Sequence, residues 1–553
     1  MMKRHGLIYA SLLIASLLTT SCSFSIENFL QTQSKEEQEF KENEDEHNSV
    51  RPEEETNPET QEPSEGTEKP ETPETPEVPE IPETPETPET PETPETPETP
   101  ETPETPETPE TPETPETPEE QFDIIKNFDL RMPGEFEPCE MVKMCYPINM
   151  PISAYKTIAE DNKILLLCNP NHGSSRINQA RNEFSSAGVN IDNVTFIDME
   201  IDNDYTYWVR DFSPFYVFNQ KQLSVVDFTY NRDRYEQNAV PSQIADYLDL
   251  PYSKMNLVHT GGNLMQDGRG TAFSDDLVIS ENANSKTKVT SQMQQHTGTD
   301  NYVITIDPQG DYIAHIDCWA KIVAPDKIIV AKLPQSNSRY QYYEQVANEL
   351  ANTKCSYGYN YRIYRVEEPG GSTVAPYTNS LIANKHVFVP LGDNYAYNIN
   401  ALNLYKEALP GYTIHGIQGF TNDSYGREFL NTDALHCRTH EIPDKNMLFI
   451  DSREVFNGQV EFKDKYVVKT NIVSYSNSTV TESDVLIHYS INNRAYVTCE
   501  MSKYKDTTNF TYEFTDLNHG DDVKYYIEAS DSNNNKNVDP SCGSLDPHHF
   551  TIK

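Results

Sequence analysis

The apolar run from Leu7 to Leu18 is too short for a comfortable membrane span, and no other segment is long and apolar enough to cross a bilayer as a helix, which excludes a bundle of membrane-spanning helices. The chain has no Cys-x-x-Cys pair. Its nine cysteines, at 22, 139, 145, 168, 318, 355, 437, 499 and 542, have spacings that argue against a compact disulfide framework. Cations are scarce, 43 Lys and Arg against 88 Asp and Glu, and no basic face is visible to hold nucleic-acid phosphates. Residues 35–120 are almost free of large apolar side chains, so this stretch cannot bury enough surface to offset its ordering entropy.

What fills that stretch is a repeat. Residues 83–118 are Glu-Thr-Pro twelve times over, which biases the chain toward an extended polyproline II rod. Residues 35–120 carry 32 acidic and 4 basic side chains, so −28 of the net charge of −45 belongs to the stalk and only −17 to the rest. The acidity therefore reads as spacing and solubility rather than as a surface for a basic partner. Ahead of the stalk, "MMKRHGLIYASLLIASLLTTSC" has the basic start, short apolar run and small residues of an export signal. Its end resembles a bacterial lipobox with Cys22 as the lipidated residue, although Thr19 stands where an aliphatic residue is usual; plain secretion is the alternative. Export permits disulfides, and Cys139 with Cys145, or Cys499 with Cys542, are candidate pairs.

From Gln121 onward, short apolar runs alternate with helical periodicities. "KILLLC", "NVTFIDM", "KQLSVVDFTY", "DDLVIS", "YVITI", "KIIVAKL" and "HVFVPL" predict strands, with Cys168 buried in the first. "SSRINQARNEFSSAG", "PSQIADYLDL" and "YQYYEQVANELANT" predict helices. This mixture over about 330 residues predicts an α/β or α+β domain of catalytic size. After Asp451 the helical signals fade and segments such as "DVKYYIEASDS" alternate apolar with polar residues between Asn, Asp and Gly turns. That pattern predicts a small antiparallel sandwich of immunoglobulin type.

Four polar clusters interrupt the larger domain: "YWVRDFSP", "HTGGNLMQDG", "HIDCWAKIVAPDK" and "TDALHCRTHE". Gly261 and Gly262 predict a tight turn or a close backbone approach. His315 and Asp317, two apart, would share one face of an extended strand, either as a proton carrier with a cation-binding acid or as a polar strand face. His436 and His440, four apart, would share a helical face as zinc ligands, but no acid lies between them and Arg438 would repel a metal ion. Cys437 between them would attack only with help from a base or cation. Two carboxylates gripping one planar cation would suit a guanidinium.

These clusters, with "RMPGEFEP" from Arg131 and "YTNSLI" at 377–382, stand in the order found in the bacterial peptidylarginine deiminase and agmatine deiminase family of guanidino-group-modifying enzymes, which the chain resembles over residues 125–450. The resemblance implies a pentein catalytic domain, a five-fold pseudosymmetric α/β propeller, over residues 122–450. An immunoglobulin-like sandwich over 451–553 would follow it, with a signal segment at 1–22 and a stalk at 23–121 ahead. It implies Cys437 as nucleophile, His315 as general acid and base, Asp211 and Asp317 as guanidinium ligands, and Asn379 as the remaining polar residue. Trp208 would be an aromatic wall, and Tyr312 and Ile313 would touch substrate. His436 and His440 would be structural. No metal or organic cofactor is implied.

"TYNRDRYE" bears on the substrate: Arg232 and Arg234 match a pair that holds the α-carboxylate of a C-terminal arginine, which agmatine lacks. Asp233 departs from the family's proline there. The expected activity is deimination of C-terminal arginine in peptides or proteins by a membrane-anchored lipoprotein at the cell surface or outer membrane. Agmatine deiminase is the first alternative and a catalytically silent adhesin the second.

Overall fold

The structure, a computed structural model, describes residues 124–553 apart from 173–174, 202–206, 311, 371–375 and 420–427. The export segment, Cys22 and the Glu-Thr-Pro stalk lie outside the described residues.

Five small sheets repeat one plan. A short strand lies antiparallel to a second, and a helical crossover returns the chain to a third strand parallel to the second. The first set is Phe215–Asn219, Gln222–Tyr230 and Tyr252–His259, with Leu130–Arg131 added at the edge. The next three are Met265–Gln266, Thr271–Asp275 and Asn301–Thr305; Ala320–Ala324, Lys327–Lys332 and Arg362–Glu367; and Leu381–Ala383, His386–Leu391 and Thr413–Gln418. The fifth joins distant parts of the chain: His440–Pro443 runs antiparallel to Cys139–Tyr146, which continues in parallel to Ile164–Cys168 and Val194–Asp198.

The crossover helices form where an apolar stripe meets the sheet. In Tyr340–Ala351, Tyr343, Val346, Ala347 and Leu350 recur at helical spacing and are buried. Ile164–Cys168 is buried at every position, as a strand paired in parallel on both sides requires. Lys286–Thr297 has only Val289, Met293 and Thr297 buried, and its start is fixed by the Ser285 side chain accepting the Lys288 N–H.

Several expectations change. "DDLVIS" contains a helical turn, Leu277–Ser280, not a strand; three apolar residues are too few to show a period, and the preceding acids suit a helix start. The helix assigned to start at Pro241 begins at Tyr235, because the extra turn buries Gln237 and Val240. His315 leads into a 3₁₀ turn, Ile316–Cys318, so it and Asp317 do not share a strand face. His436 lies in a turn while His440 opens a strand, so the two share no helical face. The eight described cysteines are all free. Cys139 and Cys145 occupy one strand, where six residues at about 3.3 Å each hold them far apart.

The C-terminal region is all β. Leu448–Asp451, Tyr466–Ser474, Asn509–Phe514 and Ser502–Lys503 form one sheet, and a second is built around Asp522–Ser530 and Val485–Ile491. Along Asp522–Ser530 buried and partly exposed residues alternate without a break, and Val523, Tyr525 and Ile527 pack against Ile450, Tyr466 and Phe550. Charged contacts tie this region to the first: Arg269 to Asp539 at 3.0 Å, and Lys327 and Arg362 to Asp546 at 2.6 and 2.8 Å.

Candidate active site

In all five sheets the segment just before the first short strand carries polar residues. Asp211 precedes Phe215, Gly261–Asn263 precede Met265, His315 and Asp317 precede Ala320, Asn379 precedes Leu381, and Cys437 precedes His440. One repeated chain path thus delivers residues from five parts of the sequence.

A cavity of about 590 Å³ is lined by eight of the expected residues: Trp208, Asp211, Arg232, Arg234, Tyr312, Ile313, His315 and Cys437. Asp317 and Asn379 sit behind the thiol. Asp317 Oδ2 is 3.7 Å from Cys437 Sγ, and Asn379 Nδ2 donates to the same sulfur at 3.2 Å. Asn379 Oδ1 accepts the backbone N–H groups of His436 and Cys437 at 2.9 and 3.2 Å, which sets the direction of the cysteine.

The two glycines are explained by space. A Cβ on Gly262 would stand 2.5 Å from His315 Nδ1 and 2.9 Å from Asp211 Oδ1, and one on Gly261 would stand 2.0 Å from the Arg210 carbonyl oxygen. Their backbone passes where no side chain fits, leaving His315 Nδ1 3.7 Å from Asp211 Oδ1.

Charge in the cavity is unbalanced. Burial, and then the neighbouring Asp317, raises the Asp211 carboxyl well above the usual range; Arg232 and Arg234 at the mouth offset this only in part. A hydrogen bond with Cys318 pulls the Cys437 thiol down, but burial and Asp317, Asp433 and Asp211 outweigh it and hold the thiol at about 11. The cations that line the cavity, Arg232 and Arg234 among them, thus do not bring the thiol down to its ordinary value, and further help from a cation would be needed. A bound cation would supply it.

At the mouth, the Arg232 guanidinium lies 5.9 Å from the Tyr312 ring centre and that of Arg234 4.9 Å from the Trp208 ring. Tyr312 is 82% exposed, so it offers a surface rather than a buried wall. Asp233 is exposed and does not line the cavity. Arg438 is neutralised by Asp433, with both contacts at 2.8 Å. Burial, with Arg210 and Lys321 nearby, pushes the His436 imidazole down to about 3; its two ring nitrogens are engaged by Asp317 at 2.7 Å and Glu135 at 2.9 Å, and it does not line the cavity, which leaves it unsuited to be the proton carrier. Among the described residues no group of three or more His, Cys, Asp or Glu is arranged to hold a metal ion.

Sequence reasoning missed Tyr230, Glu428, Leu430 and Thr432 on the cavity wall and Glu135 beneath it. Glu135 stood in "RMPGEFEP", Tyr230 in "TYNRDRYE" and Thr432 in "TDALHCRTHE"; Glu428 and Leu430 stood in none of the quoted motifs.

The profile of the family described as Porphyromonas-type peptidyl-arginine deiminase matches residues 131–443, more than half of the 553. The chain belongs to this family. Among other members of the wider deiminase group, it is 24% identical over 357 residues to a Legionella pneumophila protein named as a candidate agmatine deiminase, covering 58% of this chain and 97% of that protein. A solved structure of a candidate agmatine deiminase superposes with a TM-score of 0.50 at 20% identity, covering 58% of this chain and 99% of that one. The agmatine deiminase of Enterococcus faecalis gives a TM-score of 0.49 at 19% identity, covering 57% and 96%. The deiminase family thus accounts for the α/β region, and the all-β region is an addition beyond it.

Proposed function

We propose that this deiminase-family chain hydrolyses the guanidinium of C-terminal arginine in peptides to citrulline and ammonia through a covalent bond to Cys437. The observation that carries the reading is the juxtaposition of a thiol with two buried carboxylates at a cavity that Arg232 and Arg234 also line. A guanidinium held between Asp211 and Asp317 neutralises the charge that keeps the thiol protonated, so the nucleophile ionises when substrate arrives. Sγ then bonds to the guanidinium carbon, and the C–N bond breaks as His315 protonates the departing ammonia. A water deprotonated by His315 attacks the same carbon and the C–S bond breaks, releasing the neutral ureido product, which the two acids hold less strongly than the cation. No metal or organic cofactor enters this scheme.

The test is ammonia release by the full chain from peptides ending in arginine, peptides with internal arginine, free arginine and agmatine. Peptides ending in arginine should give the highest kcat/KM. Arg232→Ala with Arg234→Ala should raise KM for them by about 10- to 100-fold, the loss of charge-assisted hydrogen bonds, with less than about threefold effect on agmatine. Equal effects on both would remove the carboxylate reading.

A second reading is agmatine deimination, favoured by the names of the relatives above and by Glu428, an exposed acid on the cavity wall suited to an ammonium. Preferred turnover of agmatine would establish it. We extend the proposal to architecture and location. The five sheets of one plan would be the blades of a pentein propeller, the alternating C-terminal strands an immunoglobulin-like sandwich, and Cys22 the lipid anchor of an exported protein.

A further inference from the structure

The "RMPGEFEP" motif has no part in the chemistry above, yet one of its acids touches all four segments that carry the catalytic groups. Glu135 Oε2 accepts from His436 Nε2 at 2.9 Å and from Lys321 Nζ at 2.6 Å, and lies 3.8 Å from Arg210 Nη2. Its other oxygen accepts the Ile382 N–H at 2.8 Å. Each contact sits a short step along the chain from a reacting or binding group: His436 beside Cys437, Arg210 beside Asp211, Lys321 four residues after Asp317, and Ile382 three after Asn379. His436 carries the connection further, since its Nδ1 meets Asp317 Oδ2 at 2.7 Å. Arg210 does the same by donating its backbone N–H to the Cys437 carbonyl at 3.1 Å and by pairing with Glu441 at 2.7 Å.

From this geometry we propose that Glu135 is a positioning residue that fixes the four catalytic segments to one another from beneath the cavity, so that sulfur, imidazole and both acids hold one arrangement around the guanidinium. The segments come from different sheets and share no strand pairing, so a single carboxylate, its side chain 10% exposed, with three donors and the Arg210 cation around it is well suited to set their mutual spacing. A fault of about 1 Å in such spacing costs roughly 100-fold in rate even when binding survives.

The inference rests on the deiminase reading, and two readouts separate their failures. In the full chain, on whichever guanidine the wild type turns over best, Glu135→Gln keeps the length but loses the charge and presents an amide to Lys321. Glu135→Asp keeps the charge but is one methylene short of its donors. Both should lower kcat, Glu135→Gln by about 100-fold, with KM moving less than about threefold. The control lies in the same motif: Glu137 makes an equally buried pair with Arg131 at 2.8 Å but touches no catalytic segment. Glu137→Gln should lower the melting temperature and leave kcat within about twofold. An unchanged kcat in both Glu135 variants, or an equal fall in Glu137→Gln, overturns the proposal.

The second readout needs no turnover. In protein labelled with ¹⁵N-histidine, the ring signals of His436, identified by their loss in His436→Asn, should shift in the Glu135 variants and stay in place in Glu137→Gln. Invariant signals overturn the hub whatever the substrate. A wild type inert toward every guanidine would strike down the deiminase reading alone.

Discussion

Asp211 in the α/β region and Asp539 in the all-β region are both buried aspartates, and they sit in opposite electrostatic conditions. Around Asp539, Arg269 at 3.0 Å, the Tyr357 hydroxyl at 2.6 Å and His548 overcome the effect of burial and hold the carboxyl below its ordinary range. Around Asp211, burial is reinforced by Asp317, and the carboxyl is raised. The first arrangement is what a scaffold needs. The second would be relieved by a bound cation, in keeping with the proposed guanidinium site.

The largest effect expected from breaking this comparison is on turnover. Asp211→Asn should reduce deimination more than about 10³-fold, near 4 kcal/mol of barrier, measured as ammonia release at saturating substrate. The same substitution should raise the melting temperature, because it removes a buried charge that folding disfavours, and a lowered melting temperature would contradict the account. Asp539→Asn should do the reverse, lowering stability by about 3 kcal/mol while leaving kcat intact at temperatures where the chain is folded.

The pH dependence of stability follows with opposite signs. Asp539, depressed in the folded state, contributes stability above the unfolded carboxylate pKa that is lost as pH falls through its folded value. Asp211, raised in the folded state, binds a proton on folding, so its contribution declines as pH rises from the unfolded value toward the folded one. Denaturant midpoints across acid to neutral pH in Asp211→Asn and Asp539→Asn should therefore diverge from the wild type in opposite directions. Parallel curves would show the two acids to be alike.

The smallest effect concerns the thiol. With no ligand bound, alkylation of Cys437 by iodoacetamide should be slow at pH 8 and accelerate toward pH 11, following its raised pKa of about 11. Loss of the Asp211 charge should speed it at pH 8 by about twofold.

Much of the site was legible because catalytic residue types are rare and clustered. Asp211, His315, Asp317, Asn379 and Cys437 each stood in a polar interruption between apolar runs, and the structure brings them together around one cavity. Local geometry was less legible. A two-residue spacing such as His315 to Asp317 fits a strand face and a 3₁₀ turn equally well, and the strain-free choice depends on what packs against it. The helix Lys286–Thr297, poor in apolar residues, was missed for the same reason: its stability comes from three buried side chains and its caps rather than from periodicity. The candidate disulfides failed because pairing depends on distance in space, which spacing along the chain does not report.

The amino-acid order alone determined which segments alternate or run apolar, hence the α/β and all-β regions, and which polar residues had no structural reason to interrupt them. Only the tertiary structure decided how those residues face one another: that Gly262 makes room for His315 beside Asp211, that the acids lift the thiol instead of activating it, and that Glu135 reaches four segments at once. Periodicity is a local property carried by neighbours in the chain. Electrostatic balance and hydrogen-bond reach depend on separations of a few ångströms between residues hundreds of positions apart, and packing alone sets those.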